Sequence, residues 1–243
     1  MKEAIYNKMA EVEATHWWFR SRRAILRSFL DRLQLPPNAR ILEIGCGSGG
    51  NFSMLSHYGQ LLAVESDPQA LHYAQAKGQV EVLLGRLPDE IPFSEGCFDL
   101  VCLFDVLEHV EADERSLAGV NRLLTPAGWL VLTVPACQFL WSSHDEVHHH
   151  HRRYDRTGLV AKARAAGFHV VTATYFNTIL FPLIAGVRWA ERWRARRVEA
   201  DLEVPSPLVN RALYRVMSCE RHYLRLFTSP IGVSLLLVGS RHA

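Results

Sequence analysis

The sequence predicts an α/β fold, a mostly parallel sheet with helices on both of its faces. Three observations predict it. Between residues 36 and 176, short apolar runs rich in Val, Ile, Leu and Phe alternate with amphipathic segments, the pattern of doubly buried strands and crossover helices. The first run, Ile41 to Ile44, enters a glycine-rich turn, Gly45-Cys46-Gly47-Ser48-Gly49, that opens a helix. The second run ends at Glu65-Ser66-Asp67, about 20 residues later, where a nucleotide-binding sheet keeps a carboxylate for ribose hydroxyls.

Taken in order, residues 1 to 35 read as helical. Arg20 to Leu35 places Ile25, Leu26, Phe29, Leu30 and Leu33 on one face, and Pro36-Pro37 stops it. Ahead of it, His16-Trp17-Trp18-Phe19 sets three aromatics in a row. They either plug the helix onto the core or form a lid that keeps water from a ligand at the glycine turn. A helix over Asn51 to Tyr58 and a strand over Leu61 to Val64 follow. Asp67 before Pro68 reads as the N-cap of a helix Gln69 to Lys77 closed by Gly78, which leaves Glu65 for the ribose. Val80 to Leu84 is the third strand, and Gly85-Arg86-Leu87 lies on the nucleobase side of the expected pocket.

The fourth strand, Phe98 to Phe104, is closed by Asp105 and followed by Val106-Leu107-Glu108-His109. Ligands of open parallel sheets bind at the carboxyl ends of the strands, so this segment is near the site by position. A helix Asp113 to Leu124, a turn Thr125 to Gly128 and a fifth strand Trp129 to Val134 come next. The polar segment Trp141 to Asp155 leads to a helix ending at Gly167 and a sixth strand, Phe168 to Phe176. Residues 177–229 break the alternation and read as an insertion of two or three helices, with a basic stretch at Arg188 to Arg197 and an acidic, proline-rich link at Glu199 to Pro207. Gly232 to Gly239 is the final strand. The 243 residues thus form one domain: a helical lid (1–35), a ligand-binding core (36–176), the insertion (177–229) and the last strand (230–243).

Composition narrows the function classes. A net charge of +2 makes no electrostatic case for nucleic acid. The five cysteines contain no C-x-x-C pair, so neither a disulfide framework nor a cysteine zinc site is expected, and a cytoplasmic setting is. Met1 to Glu13 lacks the apolar run of a secretory signal. The longest apolar stretch, Ile179 to Val187, is broken by Pro182 and ended by Arg188. It is too short to cross a bilayer, and residues 177–190 are expected at most to touch the inner membrane face. No metal is expected: the consecutive His148 to His151 cannot all face one point, and no spaced carboxylate–histidine pattern backs them.

Glu43, two residues before the first glycine, separates cofactor classes. A carboxylate there accepts from an ammonium group or orients the loop, whereas a phosphate-binding loop avoids negative charge beside its ligand. Together, Leu42-Glu-Ile-Gly-Cys-Gly-Ser-Gly49, Val64-Glu65, Gly85-Arg-Leu-Pro88 with Phe93, Phe98-Asp-Leu-Val101, Leu107-Glu-His-Val110 and Leu124-Thr-Pro-Ala-Gly128 resemble a class I S-adenosylmethionine-dependent methyltransferase over residues 36–175. The set is similar to the group that includes the quinone-biosynthesis methylases. The ends, Trp17-Trp-Phe-Arg-Ser-Arg-Arg23 and Trp141 to Tyr154, resemble a narrower bacterial set with a W-W-F-x-x-R-R start and a later H-D-E … H-x-R-R-Y segment. Two positions depart from the pattern: Arg86 stands where an Asp often meets the adenine amino group, and Ala127 replaces a usual glycine.

The resemblance implies a Rossmann-like seven-stranded sheet with an antiparallel last strand, S-adenosylmethionine as methyl donor, and a small-molecule acceptor. It implies that Gly45, Cys46, Gly47 and Gly49 face the methionine portion and ribose, that Glu65 and Ser66 hold the ribose, and that Gly85, Arg86 and Leu87 border the base. Phe104 and Asp105 border the methionyl end with Glu43, and Arg22 or Arg23 pairs with the cofactor carboxylate. The acceptor is expected to be apolar or aromatic, gripped by Trp18, Trp141, Arg153 and Tyr154, and methylated at oxygen with a histidine base. Arg152-Arg153-Tyr154 can equally be an ion-pair network that anchors its loop. Candidates for the base are His109, His144 paired with Asp145, and His150. Competing readings are a SAM-binding protein without turnover, a C-methyltransferase, and a nicotinamide-dependent oxidoreductase, the last disfavoured by Glu43 and the G-x-G-x-G spacing.

Overall fold

The computed structural model describes residues 11–194 and 204–241. The first ten residues of the N-terminal segment and most of the acidic link beginning at Glu199 lie outside them, as do Ala195 to Arg197 of the basic stretch. The helices are α1 (Trp17–Leu30), α2 (Phe52–Leu55), α3 (Pro68–Ala76), α4 (Asp113–Leu123), α5 (Ser143–Val147), α6 (Arg156–Ala165), α7 (Phe181–Arg194) and α8 (Pro207–Tyr223). The strands are β1 (Arg40–Ile44), β2 (Gln60–Glu65), β3 (Glu81–Leu84), β4 (Phe98–Phe104), β5 (Leu124–Pro135), β6 (Phe168–Phe176) and β7 (Ser234–Arg241).

All seven strands form one sheet in the order β3-β2-β1-β4-β5-β7-β6. Pairs among β1 to β5 are parallel, and β7 runs antiparallel to both β5 and β6. Successive side chains of a strand leave opposite faces, so each apolar run feeds two cores. Ile41, Leu100, Cys102, Val131 and Leu236 pack with Ile25, Leu26, Phe29 and Leu30 of α1. Leu42, Val101, Leu103, Leu132 and Leu237 pack on the other face with Leu117, Val120, Leu159 and Ala163 of α4 and α6. That two-sided demand is why these strands read as continuous apolar runs rather than as alternating ones.

Three elements differ from the sequence reading. α1 ends at Leu30 rather than Leu35, because the chain tightens to i→i−3 bonds, Arg32 N–H to Phe29 O and Leu33 N–H to Leu30 O, ahead of the prolines. α2 stops at Leu55 rather than Tyr58. Gly59 must pass the Ala39 carbonyl so closely that a Cβ there would stand 2.1 Å from its oxygen, and Gln60 N–H then bonds the same carbonyl at 2.8 Å. The turn at Thr125 to Gly128 is a bulge inside β5: Phe98 faces Leu124, but Leu100 already faces Trp129. Ala127 sits at φ 64°, a left-handed conformation in which glycine carries no Cβ penalty.

The insertion holds two helices among the described residues. Glu220 of α8 fastens their junction, its Oε1 accepting from the N–H groups of Thr178 (2.7 Å) and Ile179 (2.8 Å). Ile179, Leu183 and Val187 recur every four residues and are exposed. No helix among the described residues is long and apolar enough to cross a membrane.

Candidate active site

The strand order reverses between β1 and β4, and the site forms at the carboxyl ends of these two strands. From β1 the chain turns at once into the glycine loop. Gly45, Gly47 and Gly49 all have positive φ. A Cβ at Gly45 would lie 2.7 Å from Val106 Cγ2 and one at Gly49 2.5 Å from the Phe52 ring, so these two glycines serve packing. Gly47 differs: nothing lies within 4 Å of where its Cβ would stand. It is the point where backbone meets open space.

Glu65 braces the loop from β2. Its Oε2 accepts from Gly47 N–H at 2.7 Å, and its Oε1 from the N–H groups of Ser66 (2.8 Å) and Asp67 (2.9 Å). Oε2, with a single donor, keeps lone-pair capacity for a hydroxyl donor. Asp67 caps α3, accepting from Gln69 and Ala70 N–H, with Pro68 at the first helical turn.

Beneath the loop lies Glu43, 1% exposed. Its Oε1 accepts from Asn51 Nδ2 at 2.7 Å, while Oε2 has no partner among the described residues. Burial raises its pKa to about 8, against the opposing effect of the Asn51 hydrogen bond and the Arg22 charge. Arg22 is not on a solvated helix face. It reaches from α1 across the sheet to Asp105 (2.7 Å) and Thr133 Oγ1 (2.6 Å), and its Nε has no partner among the described residues. Asp105, at φ 58°, also accepts from Thr133 at 3.0 Å. Phe104 is buried, with the Arg22 guanidinium 5.7 Å from its ring centre. Arg23 instead donates to the carbonyls of Glu13 (2.6 Å) and Gly50 (3.4 Å).

Other expected cofactor contacts are placed elsewhere. Leu87 is buried in the core against the α4 face, and the Cys46 side chain in the core against α1. Gly85 is packed so closely that a Cβ would meet the Glu90 carbonyl at 2.5 Å, and Arg86 is exposed, its backbone bridged to Glu90. These side chains are spent on packing or face solvent because the chain after β3 folds back on itself at 86–90.

The polar segment after β5 brings His150, Asp145 and Arg153 together. Asp145, expected beside His144, bonds His150, whose Nδ1 lies 2.9 Å from Asp145 Oδ1, and the His144 ring lies 6.1 Å from that of His150. Asp145 is fully buried and gripped by Arg153, Nε to Oδ1 at 2.8 Å and an NH2 group to Oδ2 at 3.0 Å. Burial pushes its carboxyl up, but the bonds from His150 and Arg153 outweigh that and hold it well below the usual carboxylate range. An ionised carboxylate only accepts, so His150 carries its proton on Nδ1 and keeps Nε2 as an acceptor.

Arg153 and Tyr154, expected to grip substrate, have their side-chain polar groups engaged within the chain. Arg153 gives its remaining NH1 group to Ala136 O at 3.1 Å. Tyr154 is buried, with its hydroxyl on Leu107 O (3.2 Å) and Asp113 (2.8 Å). Arg152 pairs with Asp113 at 2.8 Å. The anchoring alternative therefore holds for all three. Trp18 packs against the α1-side core, edge-on to Trp17 at 5.9 Å, and Trp141 is half-buried. His149 and His151 are exposed, whereas the His148 ring lies 4.3 Å from that of His144.

The sequence reading passes over Glu108. It is fully buried, and neither of its carboxyl oxygens has a partner among the described residues. Burial, and then the neighbouring Asp105 charge, push its pKa well above the usual range. The His109 and His150 ring centres are 4.7 Å apart, and Glu108, His109 and His150 each present a ligand-type atom within 4.8 Å of the others. Burial, and then the neighbouring His150, lower the His109 pKa to about 4. The only signal for Glu108 is its position one residue before His109, at the end of β4.

Residues 42–132 match the family model described as "Methyltransferase domain". Among curated relatives, the chain is 32% identical over 124 residues to the sarcosine/dimethylglycine N-methyltransferase of Halorhodospira halochloris, covering 47% of this chain and 44% of that one. It is 30% identical over 103 residues to a ubiquinone biosynthesis O-methyltransferase of Xanthomonas campestris pv. campestris, covering 40% and 43%. The chain spans a third to a half of the length of the curated relatives it matches. Among solved structures it superposes, with a TM-score of 0.65 and 18% identity, on a chain of the complex between the Haloferax volcanii Trm112 methyltransferase activator and a methyltransferase, over 99% of this chain and 96% of that one. The [4+2]-cyclase SpnF superposes with a TM-score of 0.60 at 18% identity, over 92% and 82%. These likenesses describe the fold, which the cyclase shows to be compatible with other chemistry. The glycine loop, Glu65 that braces it and the match to the methyltransferase-domain model all fall within residues 42–132.

Proposed function

We propose that the protein transfers a methyl group from S-adenosylmethionine to oxygen of a small apolar or aromatic acceptor, with His150 as general base. The observation that carries the cofactor placement is a pair of buried polar atoms with no partner among the described residues, an acceptor at Glu43 Oε2 and a donor at Arg22 Nε, together with the open space at Gly47. An amino-acid ammonium and carboxylate match them. Glu65 keeps acceptor capacity for ribose hydroxyls. When bound, the cofactor supplies an already activated methyl on a sulfonium.

The residues then position the acceptor and manage its proton. Arg22, Asp105 and Thr133 form a braced floor at the ends of β4 and β5. His150 Nε2 accepts the hydroxyl proton, and Asp145, fixed by Arg153, stabilises the imidazolium that results. Asp145 is thus a positioning residue, and its role resembles that of the carboxylate in hydrolase triads. The exposed stripe of Ile179, Leu183 and Val187 supports an apolar acceptor or one presented at a membrane surface.

A second reading has one specific support. Unpartnered Glu108 converges with His109 and His150, a set of two imidazoles and one carboxylate suited to a divalent ion that would polarise the acceptor oxygen. One experiment addresses both readings: S-adenosylmethionine titration by calorimetry, followed by turnover assays on a phenolic acceptor panel with and without chelator. Saturable cofactor binding is expected, with turnover insensitive to chelator and His150→Gln lowering kcat about 10²–10⁴-fold at unchanged cofactor affinity. Loss of turnover on chelation, restored by one divalent ion, selects the metal reading, and absence of cofactor binding overturns the proposal.

A further inference from the structure

On another face of α1 from Arg22 lies a cavity of about 850 Å³. Arg20, Arg23 and Arg27 of α1 line one wall, Arg221 and Arg225 from α8 and the turn that follows it line another, and Lys77 stands after α3. Only two carboxylates, Glu13 and Asp31, face it among the described residues. That leaves a surplus of four positive charges in one cavity, in a chain whose whole net charge is +2. Among the described residues, none of the five arginines has a carboxylate within ion-pair distance.

The carboxylates present are otherwise engaged. Glu13 takes Lys77 at 2.6 Å and the Ser48 hydroxyl at 2.7 Å, and Asp31 accepts from the Tyr58 hydroxyl. Arg20, Arg23 and Arg27 stand at i, i+3 and i+7 on one helical face, and Arg221 and Arg225 at i and i+4. Like charges at these spacings repel and cost folding stability. Three of the guanidinium groups are nonetheless held in place: Arg23 by the Glu13 and Gly50 carbonyls, Arg20 over the Tyr214 ring at 4.5 Å, and Arg221 by its Nε bond to His222 Nε2 at 3.2 Å. Arg211 and Arg215 continue the basic surface in an adjoining hollow that also contains Arg20. Guanidinium forks that neutralise no carboxylate among the described residues are suited to receive multidentate oxyanions.

We propose that this cavity binds a phosphate-bearing group, a diphosphate or phosphate ester carried by a soluble molecule or by a lipid headgroup. It is distinct from the methyl-transfer site. It shares none of Glu65, Asp105, Glu108, His109 or His150 and touches the cofactor loop only at its back, at Gly49 and Gly50. The inference therefore does not rest on the methyltransferase reading.

The test is calorimetric titration of the full chain with inorganic pyrophosphate at constant ionic strength, alongside sedimentation with phosphatidylcholine vesicles with and without phosphatidic acid. The Arg221→Ala/Arg225→Ala double variant is run in parallel, with S-adenosylmethionine affinity and circular dichroism as checks on its fold. Saturable pyrophosphate binding, weakened about tenfold or more in the double variant at unchanged cofactor affinity, assigns a soluble ligand. Cosedimentation with phosphatidic acid vesicles alone, lost in the variant, assigns a headgroup. No response to either probe, or an equal response in the variant, overturns the proposal. Arg27→Glu, on the opposite wall, is expected to reproduce the loss.

Discussion

Glu43 enters the core with one oxygen held by Asn51 and the other bare, and that arrangement has a measurable consequence. Its pKa is raised by burial from 4.5 to about 8, so between those values the folded chain binds a proton that the unfolded chain has lost. Its contribution is fully present below pH 4.5 and is lost as pH rises through 8. The loss is on the order of 3–5 kcal/mol. Glu43→Gln is therefore expected to raise the melting temperature at pH 8 without cofactor, to give no gain near pH 4.5, and to weaken S-adenosylmethionine binding. Parallel stability–pH curves for the two proteins would sink the assignment. At this scale Glu43 is legible because a carboxylate beside a glycine turn is chemically odd. Glu108 is not, since nothing in Leu107-Glu108-His109 tells a buried, unpartnered carboxyl from a solvated one.

Among elements, the segment from Ala136 to Asp155 shows how a polar loop is made rigid. Ser142 and Asp145 form a capping box at α5, Arg153 closes a fork on Asp145, and Tyr154 N–H returns to the Pro135 carbonyl at 2.9 Å. Arg153→Ala would remove the fork on the fully buried Asp145 and leave it Arg188 at 3.7 Å with the Ser142 and His150 bonds, a loss of about 1.5–3 kcal/mol. The expected result is a lower midpoint in urea unfolding at unchanged slope. Turnover by the surviving folded fraction should fall, because Asp145 loses the fork that fixes it toward His150. A surface role for Arg153, with midpoint and turnover both intact, is the contrary outcome. The sequence displays the histidines, Asp145 and the arginines but not their pairing. The return of the chain at 148–150, which no local pattern announces, brings His150 to Asp145.

For the whole molecule, the antiparallel β7 closes the sheet between β5 and β6, and Leu235, Leu236 and Leu237 are fully buried. Deleting residues 230–243 would strand β6 and bare the edge of β5, so calorimetry of the truncated chain is expected to show no cooperative transition. A sharp transition near that of the full chain would mean that β7 is dispensable. The alternation of strands and helices, the glycine loop, the acidic end of β2 and the Asp67 cap are all set locally, by burial on two faces, by positive φ and by capping chemistry that need only near neighbours. The sequence by itself determined the doubly wound sheet and the class of cofactor. The tertiary structure decided which side chains converge and which are held in the framework: it took Arg153 and Tyr154 into the framework, joined Arg22 to Asp105 across the sheet, gathered Glu108 with two histidines and faced five arginines across one cavity. Those outcomes depend on burial and on contacts between residues distant in the chain, and a buried charge is defined by what surrounds it in space rather than by its neighbours in sequence.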